Sequence, residues 1–139
     1  MDTSLNRFTE AQANSYADAL QEIKAGHKRT HWMWFIFPQL AGLGQSSTSK
    51  YYAIRGIDEA TAYLAHPQLG ARLLEISTAL MRLTGGNAHQ IFGDPDDMKL
   101  KSSMTLFSQV PNAPPIFQQV LDRYFDGKAD RSTLQILGK

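Results

Sequence analysis

The sequence contains no cysteine among its 139 residues. This absence excludes disulfide bonds, thiol nucleophiles and thiolate metal sites together, and it fits a reducing compartment such as the cytoplasm. The four histidines, at positions 27, 31, 66 and 89, lack the spacing of metal ligands. No phosphate-binding loop is present either. We therefore expect neither a metal site nor a bound cofactor.

Net charge and long apolar runs are also scarce. The formal net charge is +1, which gives no sequence-wide attraction for nucleic acid or for an anionic membrane. The longest apolar run, Trp32–Phe37, is much too short to span a bilayer, and residues 1–7 contain no apolar core that could serve as a signal peptide. We expect a soluble cytoplasmic protein that binds neither nucleic acid nor membrane.

The sequence does contain enough apolar material for one core. Hydrophobic residues make up 42% of the chain and charged residues 19%, which is close to the globular average and unlike a disordered chain. A chain of this length is the size of one domain. We therefore predict a single domain over residues 1–139.

Apolar spacing predicts a mainly α fold. The clearest pattern has steps of four, three, four and three residues, and it predicts one long helix with a buried stripe. Its members are Leu69, Leu73, Ile76, Leu80 and Leu83. We expect at least four helices and no extensive β-sheet, with short extended segments around the aromatic run at residues 32–37.

Helix-end signals place the other elements. In the first half of the chain, a helix or a broken pair is predicted over Thr9–Ala25, a helix from Ile57 and a new helix from His66-Pro67. In the second half, we predict one turn over 88–93, then a helix capped by Asp94 with Pro95 in its first position. A helix over Pro115–Phe125 and a short turn capped by Asp130 follow. The Ser/Thr-rich stretch 45–50 is predicted to be a loop.

The run from Thr30 to Gln39 contains both tryptophans around one histidine. Thr30 is a candidate cap for a short helical turn that leads into an extended segment. We expect His31 to be buried, where it would serve as a neutral proton-transfer or hydrogen-bonding group, or as a structural histidine. At least one indole should lie in the core, and Trp34 is the candidate for stacking on a ligand.

A second candidate segment lies at residues 97–105. On a helix, Lys99 lies within one turn of Ser102 and Ser103, which suits a phosphate or carboxylate, although solvated lysines and ordinary serines fit the same pattern. Ser103 falls on the inward face, so its hydroxyl needs a ligand or the carbonyl four residues earlier. A triad with His31 and Asp97 is disfavoured because Ser103 lacks a nucleophile elbow.

These two segments, 31–39 and 97–105, are predicted to form one pocket for a small anionic, nucleotide-like molecule. If the protein is an enzyme, the first class to test is a hydrolase of glycosidic or phosphate-linked bonds. The candidate catalytic residues are His31, Gln39 and Ser103, and the candidate ligand-binding residues are Arg29, Trp34, Tyr52, Lys99 and Ser102. The alternative is a non-catalytic module whose exposed aromatic run docks a partner protein.

The chain also resembles a known bacterial family over nearly its whole length. The resemblance is carried by the stretch from Gly26 to Leu43, by Ile91-Phe92-Gly93 and by Lys99 to Phe107. This family is catalogued as domain of unknown function 1810. The resemblance implies a compact, mainly helical domain without an established activity. Some members are labelled calpastatin, but that name belongs to a disordered inhibitor with repeats, and this chain has neither property.

Overall fold

The structure is a computed structural model that describes residues 5–139, so the first residues of the segment considered as a signal peptide lie outside it. Ten helices form within these residues. They are α1 Asn6–Gln12, α2 Tyr16–Lys24, α3 Met33–Ile36, α4 Ser47–Tyr51, α5 Ile57–Ala65, α6 Leu69–Met81, α7 Ala88–Phe92, α8 Asp96–Ser108, α9 Ile116–Phe125 and α10 Arg131–Leu137. The described part of the chain contains no β-strand. The predicted mainly α fold is confirmed.

Helix α6 carries the predicted stripe, and its four main members are buried. One face of α6 thereby contributes a continuous apolar surface to the core, while α2, α5 and α9 pack around it. The stripe consists of Leu69, Leu73, Ile76 and Leu80. This prediction is confirmed because burial on one side of a helix repeats with the helical period.

Helix α8 is buried on almost every side, which its sequence pattern did not predict. All residues from Ser102 to Phe107 are buried, and α5, α7, α9 and α10 contact this helix. The hydroxyls of Ser102 and Thr105 donate to carbonyls one turn back, at 3.2 and 2.8 Å. Because these bonds satisfy the hydroxyls within the helix, polar residues can occupy a central position.

The aromatic run forms the expected short helical turn followed by an extended segment. After α3, the chain extends to Leu40, which pairs with Ile54 in an isolated parallel bridge. Ile54 donates its N–H to the Gln39 carbonyl at 2.8 Å and accepts from the Ala41 N–H at 2.7 Å. This bridge holds the end of the run against the segment that precedes α5.

Several predicted helix ends are wrong. The predicted loop at 45–50 contains α4, which begins because the Ser46 hydroxyl accepts from the Ser49 N–H at 3.1 Å. Trp32, not Thr30, occupies the cap position of α3. Pro95 rather than Asp94 precedes α8, and no side chain caps that helix. Serine, threonine and aspartate favour both caps and loops, so composition alone did not separate the two.

Helix α6 begins later than predicted. Pro67 lies before its first turn, and the His66 ring accepts the N–H groups of Gln68 and Leu69 through Nδ1, both at 3.1 Å. The histidine satisfies two N–H groups that have no partner inside the helix. Gln68 occupies the cap position of α6, and the His66 ring supports the start of the helix from two residues upstream.

A buried glutamine connects the helices beneath the aromatic run. Gln12 donates through Nε2 to the Phe35 carbonyl at 2.7 Å and to the Tyr63 hydroxyl at 3.0 Å. Its Oε1 accepts from Arg72 at 3.3 Å. A buried amide is tolerated when its donors and acceptor are satisfied, so this side chain links α1, α3, α5 and α6.

No helix within residues 5–139 has both the length and the apolar character required to cross a membrane.

Candidate functional site

Trp34 and Lys99 bring the two predicted segments into contact. Trp34 is half-buried on α3 and Lys99 lies in the first part of α8, and the Lys99 ammonium is 5.2 Å from the centre of the indole ring. An ammonium at this distance over a tryptophan face is attracted by the ring. Trp32, by contrast, is 1% exposed. One indole therefore belongs to the core, as expected, and the other reaches the surface.

The charge next to this contact is shared by two lysines and one aspartate. Lys28 lies 2.9 Å from the Asp96 carboxylate, whereas Lys99 lies 3.6 Å from it. The Lys28 ammonium also donates to the Thr30 carbonyl at 2.6 Å, and its side chain is 6% exposed against 21% for Lys99. Because 3.6 Å is longer than a hydrogen bond, Lys99 is the one of these two lysines that a ligand can recruit more easily.

Glu22 is a central residue that the sequence did not reveal. Its carboxylate accepts the backbone N–H groups of Arg29 and Thr30 at 2.7 and 3.0 Å, the Thr30 hydroxyl at 2.7 Å and the Trp32 indole N–H at 2.9 Å. These bonds fix the start of the aromatic run on α2. The spacing between Glu22 and its partners follows no short motif, so no local signal pointed to it.

The hydrogen bonds also set the charge state of Glu22. Burial alone raises its pKa, but the hydrogen bonds from Arg29, Thr30 and Trp32 together outweigh burial and lower the pKa to about 2. Hydrogen bonds to a carboxylate favour its ionised form. Glu22 is therefore an anion at neutral pH.

His31 does not lie as the sequence suggested. The His31 side chain is exposed, so the expectation of a buried imidazole is wrong. The inward positions of the run are taken by Trp32 and Met33, which leaves the histidine on the outside. Arg29 is exposed as well, and it lines a 350 Å³ depression beside α2 that also includes Glu22.

The two candidate serines of α8, Ser102 and Ser103, face inward. Ser103 is 0% exposed, and its hydroxyl has no hydrogen-bond partner within the described part of the chain. The expected bond to the Lys99 carbonyl is not formed. Ser102 donates to the Met98 carbonyl and is also buried. In this conformation the structure does not bring Ser103 to a surface shared with His31, and only Lys99 of the three α8 candidates reaches solvent.

The remaining candidates, Gln39 and Tyr52, lie elsewhere along the run. Gln39 is half-buried, and its carbonyl takes part in the bridge to Ile54. The Tyr52 ring centre lies 5.3 Å from that of Phe35 and 6.0 Å from that of Phe8. Burial raises the pKa of the Tyr52 hydroxyl. Tyr52 is therefore part of an aromatic cluster with Phe8 and Phe35.

The alternative of an exposed aromatic run is wrong. Most of the run is buried because its rings pack on one another and on α7, as the Trp32 and Phe37 rings do against Phe92 at 6.4 and 6.0 Å. The large apolar side chains that are exposed within residues 5–139 lie on three different helices: Tyr51, Met98 and Ile136. The run therefore lacks the continuous exposed aromatic surface on which that alternative depends.

Within residues 5–139, no group of three or more histidine, aspartate or glutamate side chains could hold a metal ion.

Comparisons with known proteins show similarity to one protein family and to one solved structure. A family model described as "Protein of unknown function (DUF1810)" matches residues 2–137. The crystal structure of the conserved hypothetical protein Rv1873 from Mycobacterium tuberculosis is similar, with a TM-score of 0.95 and 46% sequence identity. That match covers 97% of this chain and 96% of the other. A search of curated proteins found no match.

Proposed function

This chain belongs to the DUF1810 family of proteins of unknown function, and we propose that it binds a small anionic, nucleotide-like molecule at Trp34 and Lys99. The proposal is supported by one observation, the Lys99 ammonium 5.2 Å from the centre of a half-exposed indole ring. An aromatic surface and a cation side by side match the two parts of a nucleotide, its base and its phosphate.

The physical chemistry of this contact favours such a ligand. A base that stacks on an aromatic side chain gains about 1–3 kcal/mol, and the anion attracts the ammonium. Lys99 can turn to the ligand at low cost, because it lies 3.6 Å from Asp96 while Lys28 keeps the shorter 2.9 Å contact with the same carboxylate. Asp96 therefore retains a cation when Lys99 moves.

Binding is favoured over hydrolysis of glycosidic or phosphate-linked bonds. A nucleophile must be accessible to its substrate, and Ser103 is fully buried. Gln39 has no titratable side chain, so His31 is the candidate that remains for proton transfer, and it is exposed rather than held in a dry cleft. The proposal therefore assigns a binding role to the site and gives no role to Ser103.

The test is a thermal-shift titration with adenosine monophosphate, ribose 5-phosphate and inorganic phosphate. A ligand at about 100 times its dissociation constant adds about 2.7 kcal/mol to the free energy of unfolding. We expect the nucleotide to stabilise the protein more than phosphate does, since phosphate cannot stack.

Matched variants locate the site. Trp34→Leu and Lys99→Gln should each abolish the nucleotide shift, whereas Lys101→Gln should retain it. Lys101 is a suitable control because it lies on the same helix but over the ring of Phe125, at 6.0 Å. Equal shifts in Lys99→Gln and Lys101→Gln, or no shift with the nucleotide in the unmodified protein, would overturn the proposal.

A further inference from the structure

A second concave surface lies on the outer side of α6, next to the end of α2. Its volume is about 680 Å³, within the range of about 300–1,000 Å³ that is usual for small-molecule sites. We call it the α6 groove. Its floor includes Leu74, Ala79 and Leu83, and Lys24 and Arg82 also line it.

The groove is apolar where it meets the core. Leu74 and Leu83 are half-buried and pack against the core, and Ala79 is nearly covered. Two small side chains of α6, Ala71 and Ala79, also line the groove, and Ala71 is exposed. Their small size leaves space for the hollow between the larger side chains that line it.

The charges that line the groove favour an anion. Within residues 5–139, the side chains of Lys24 and Arg82 form neither an ion pair nor a hydrogen bond. The carboxylate that also lines the groove, Glu75, accepts the Tyr16 hydroxyl at 2.5 Å. Two unpaired cations and one engaged carboxylate leave a net positive charge beside an apolar floor.

A hydroxyl is also available in the groove. Thr78 donates its hydroxyl proton to the Leu74 carbonyl at 2.7 Å, which leaves the oxygen free to accept a hydrogen bond. The neighbouring Arg123 is not available, because it donates to the Met81 carbonyl at 2.6 Å and to the Leu83 carbonyl. Anion binding in the groove therefore depends on Lys24 and Arg82.

We propose that the α6 groove binds an amphiphilic organic anion, namely a medium-chain carboxylate. Its aliphatic tail covers Leu74, Ala79 and Leu83, and its carboxylate engages Lys24 and Arg82. The apolar floor is the reason for proposing a ligand with an aliphatic tail, and the two unpaired cations are the reason for proposing a carboxylate. This site lies on α2 and α6, whereas the proposed nucleotide site lies on α3 and α8, so neither proposal depends on the other.

The test uses decanoate as the probe and follows backbone amide shifts by NMR during a titration below the micelle concentration. We expect saturable shifts centred on residues 71–83. Decanol, which keeps the tail, and acetate, which keeps the charge, should each bind at least tenfold more weakly than decanoate.

Variants assign the two parts of the site. The double variant Lys24→Gln, Arg82→Gln should weaken decanoate binding at least tenfold, and Ala71→Phe should do the same by filling the hollow from an exposed position. Lys128→Gln removes an exposed cation outside the groove and should leave the affinity unchanged. Lys99→Gln should also have no effect, which separates this result from the nucleotide site.

Three results would overturn the proposal. These are equal affinity in the double variant and in Lys128→Gln, equal affinity for decanoate and decanol, and shifts that appear only when the probe forms micelles. Equal binding of the neutral alcohol would identify the groove as a surface for uncharged apolar partners instead.

Discussion

Glu22 shows how one carboxylate organises a segment that sequence periodicity cannot place. It accepts four hydrogen bonds from three residues between positions 29 and 32. Its pKa is about 2 in the folded protein, compared with about 4.3 for an unperturbed glutamate. A lowered folded-state pKa stabilises the protein fully above the unfolded value, and this stabilisation is lost as the pH falls through the folded value.

Glu22→Gln should therefore lower the free energy of unfolding at pH 7, because the neutral amide accepts hydrogen bonds more weakly than the carboxylate does. The expected loss is only about 1 kcal/mol, because Glu22 is partly exposed and water screens its charge. The difference from the unmodified protein should shrink between about pH 4.3 and pH 2. Urea unfolding of both proteins at pH 7 and at pH 3 measures this difference in the free energy of unfolding. Glu10→Gln is the control, since Glu10 is exposed and its side chain forms no hydrogen bond within residues 5–139. A pH-independent effect of Glu22→Gln would contradict this prediction.

Two hydroxyl residues of α8 provide a matched pair. Ser103 is buried without a hydrogen-bond partner among the described residues, whereas the Thr105 hydroxyl accepts the Asp130 N–H at 2.8 Å. Ser103→Ala should leave stability unchanged or raise it, because it removes an unsatisfied polar group. Thr105→Val should lower stability by about 1–3 kcal/mol, because the Asp130 N–H loses its partner. Chemical unfolding measures the stability of both variants. A larger loss of stability in Ser103→Ala than in Thr105→Val would show that the Ser103 hydroxyl has a hydrogen-bond partner.

The same serine shows why the candidate site was harder to predict than the fold. Helical spacing places Ser103 on the inward face, and it is indeed buried. Spacing cannot tell whether an inward position faces a pocket or a closed core, because both give the same period. The partnership between Trp34 and Lys99 could be suggested from residue chemistry, while the role of Glu22 depends on how the chain folds back on α2 between positions 25 and 32, which no short motif indicates.

At the scale of elements, helices with one buried face were predicted well. The buried stripe predicted helix α6. The capping residue Asp130 predicted α10, and its carboxylate accepts the Thr133 N–H at 3.0 Å. Helix α4 was missed because it has no buried residue. Without an apolar face, the sequence of α4 has no helical period of apolar residues to detect, and the capping residue Ser46 is equally typical of a loop.

The junction of α5 and α6 depends on a glycine. A Cβ atom added to Gly70 would collide with the Leu64 carbonyl oxygen, which is backbone and cannot move aside like a flexible side chain. Gly70→Ala should therefore destabilise the protein by about 1–3 kcal/mol, as overpacking does in other cores, even though alanine is the better helix former.

Thermal unfolding of Gly70→Ala can be compared with that of Gly85→Ala. A Cβ atom at Gly85 meets nothing within 4 Å, so that variant should change stability by less than about 0.5 kcal/mol. A similar melting temperature for the two variants would mean that α5 and α6 can separate without loss of stability.

At the scale of the whole molecule, one apolar cluster contains residues from both ends and from the middle of the described chain. It extends from Leu5 through α8 to Leu121, with Leu137 of α10 packed against it. Because N-terminal and C-terminal helices share this core, we expect no subset of them to unfold first while the rest keeps its packing. The expected single domain therefore has a measurable consequence in cooperativity.

Unfolding should be a single transition that different probes report identically. Both tryptophans lie in the aromatic run, so their fluorescence reports on that segment, while circular dichroism at 222 nm reports on all the helices. We expect the two signals to give the same urea midpoint and the same slope. The variant Trp34→Phe leaves Trp32 as the remaining fluorophore, and its midpoint should again agree with circular dichroism. A fluorescence change that precedes the loss of helix would show that the aromatic run opens separately from the core formed around α6 and α8.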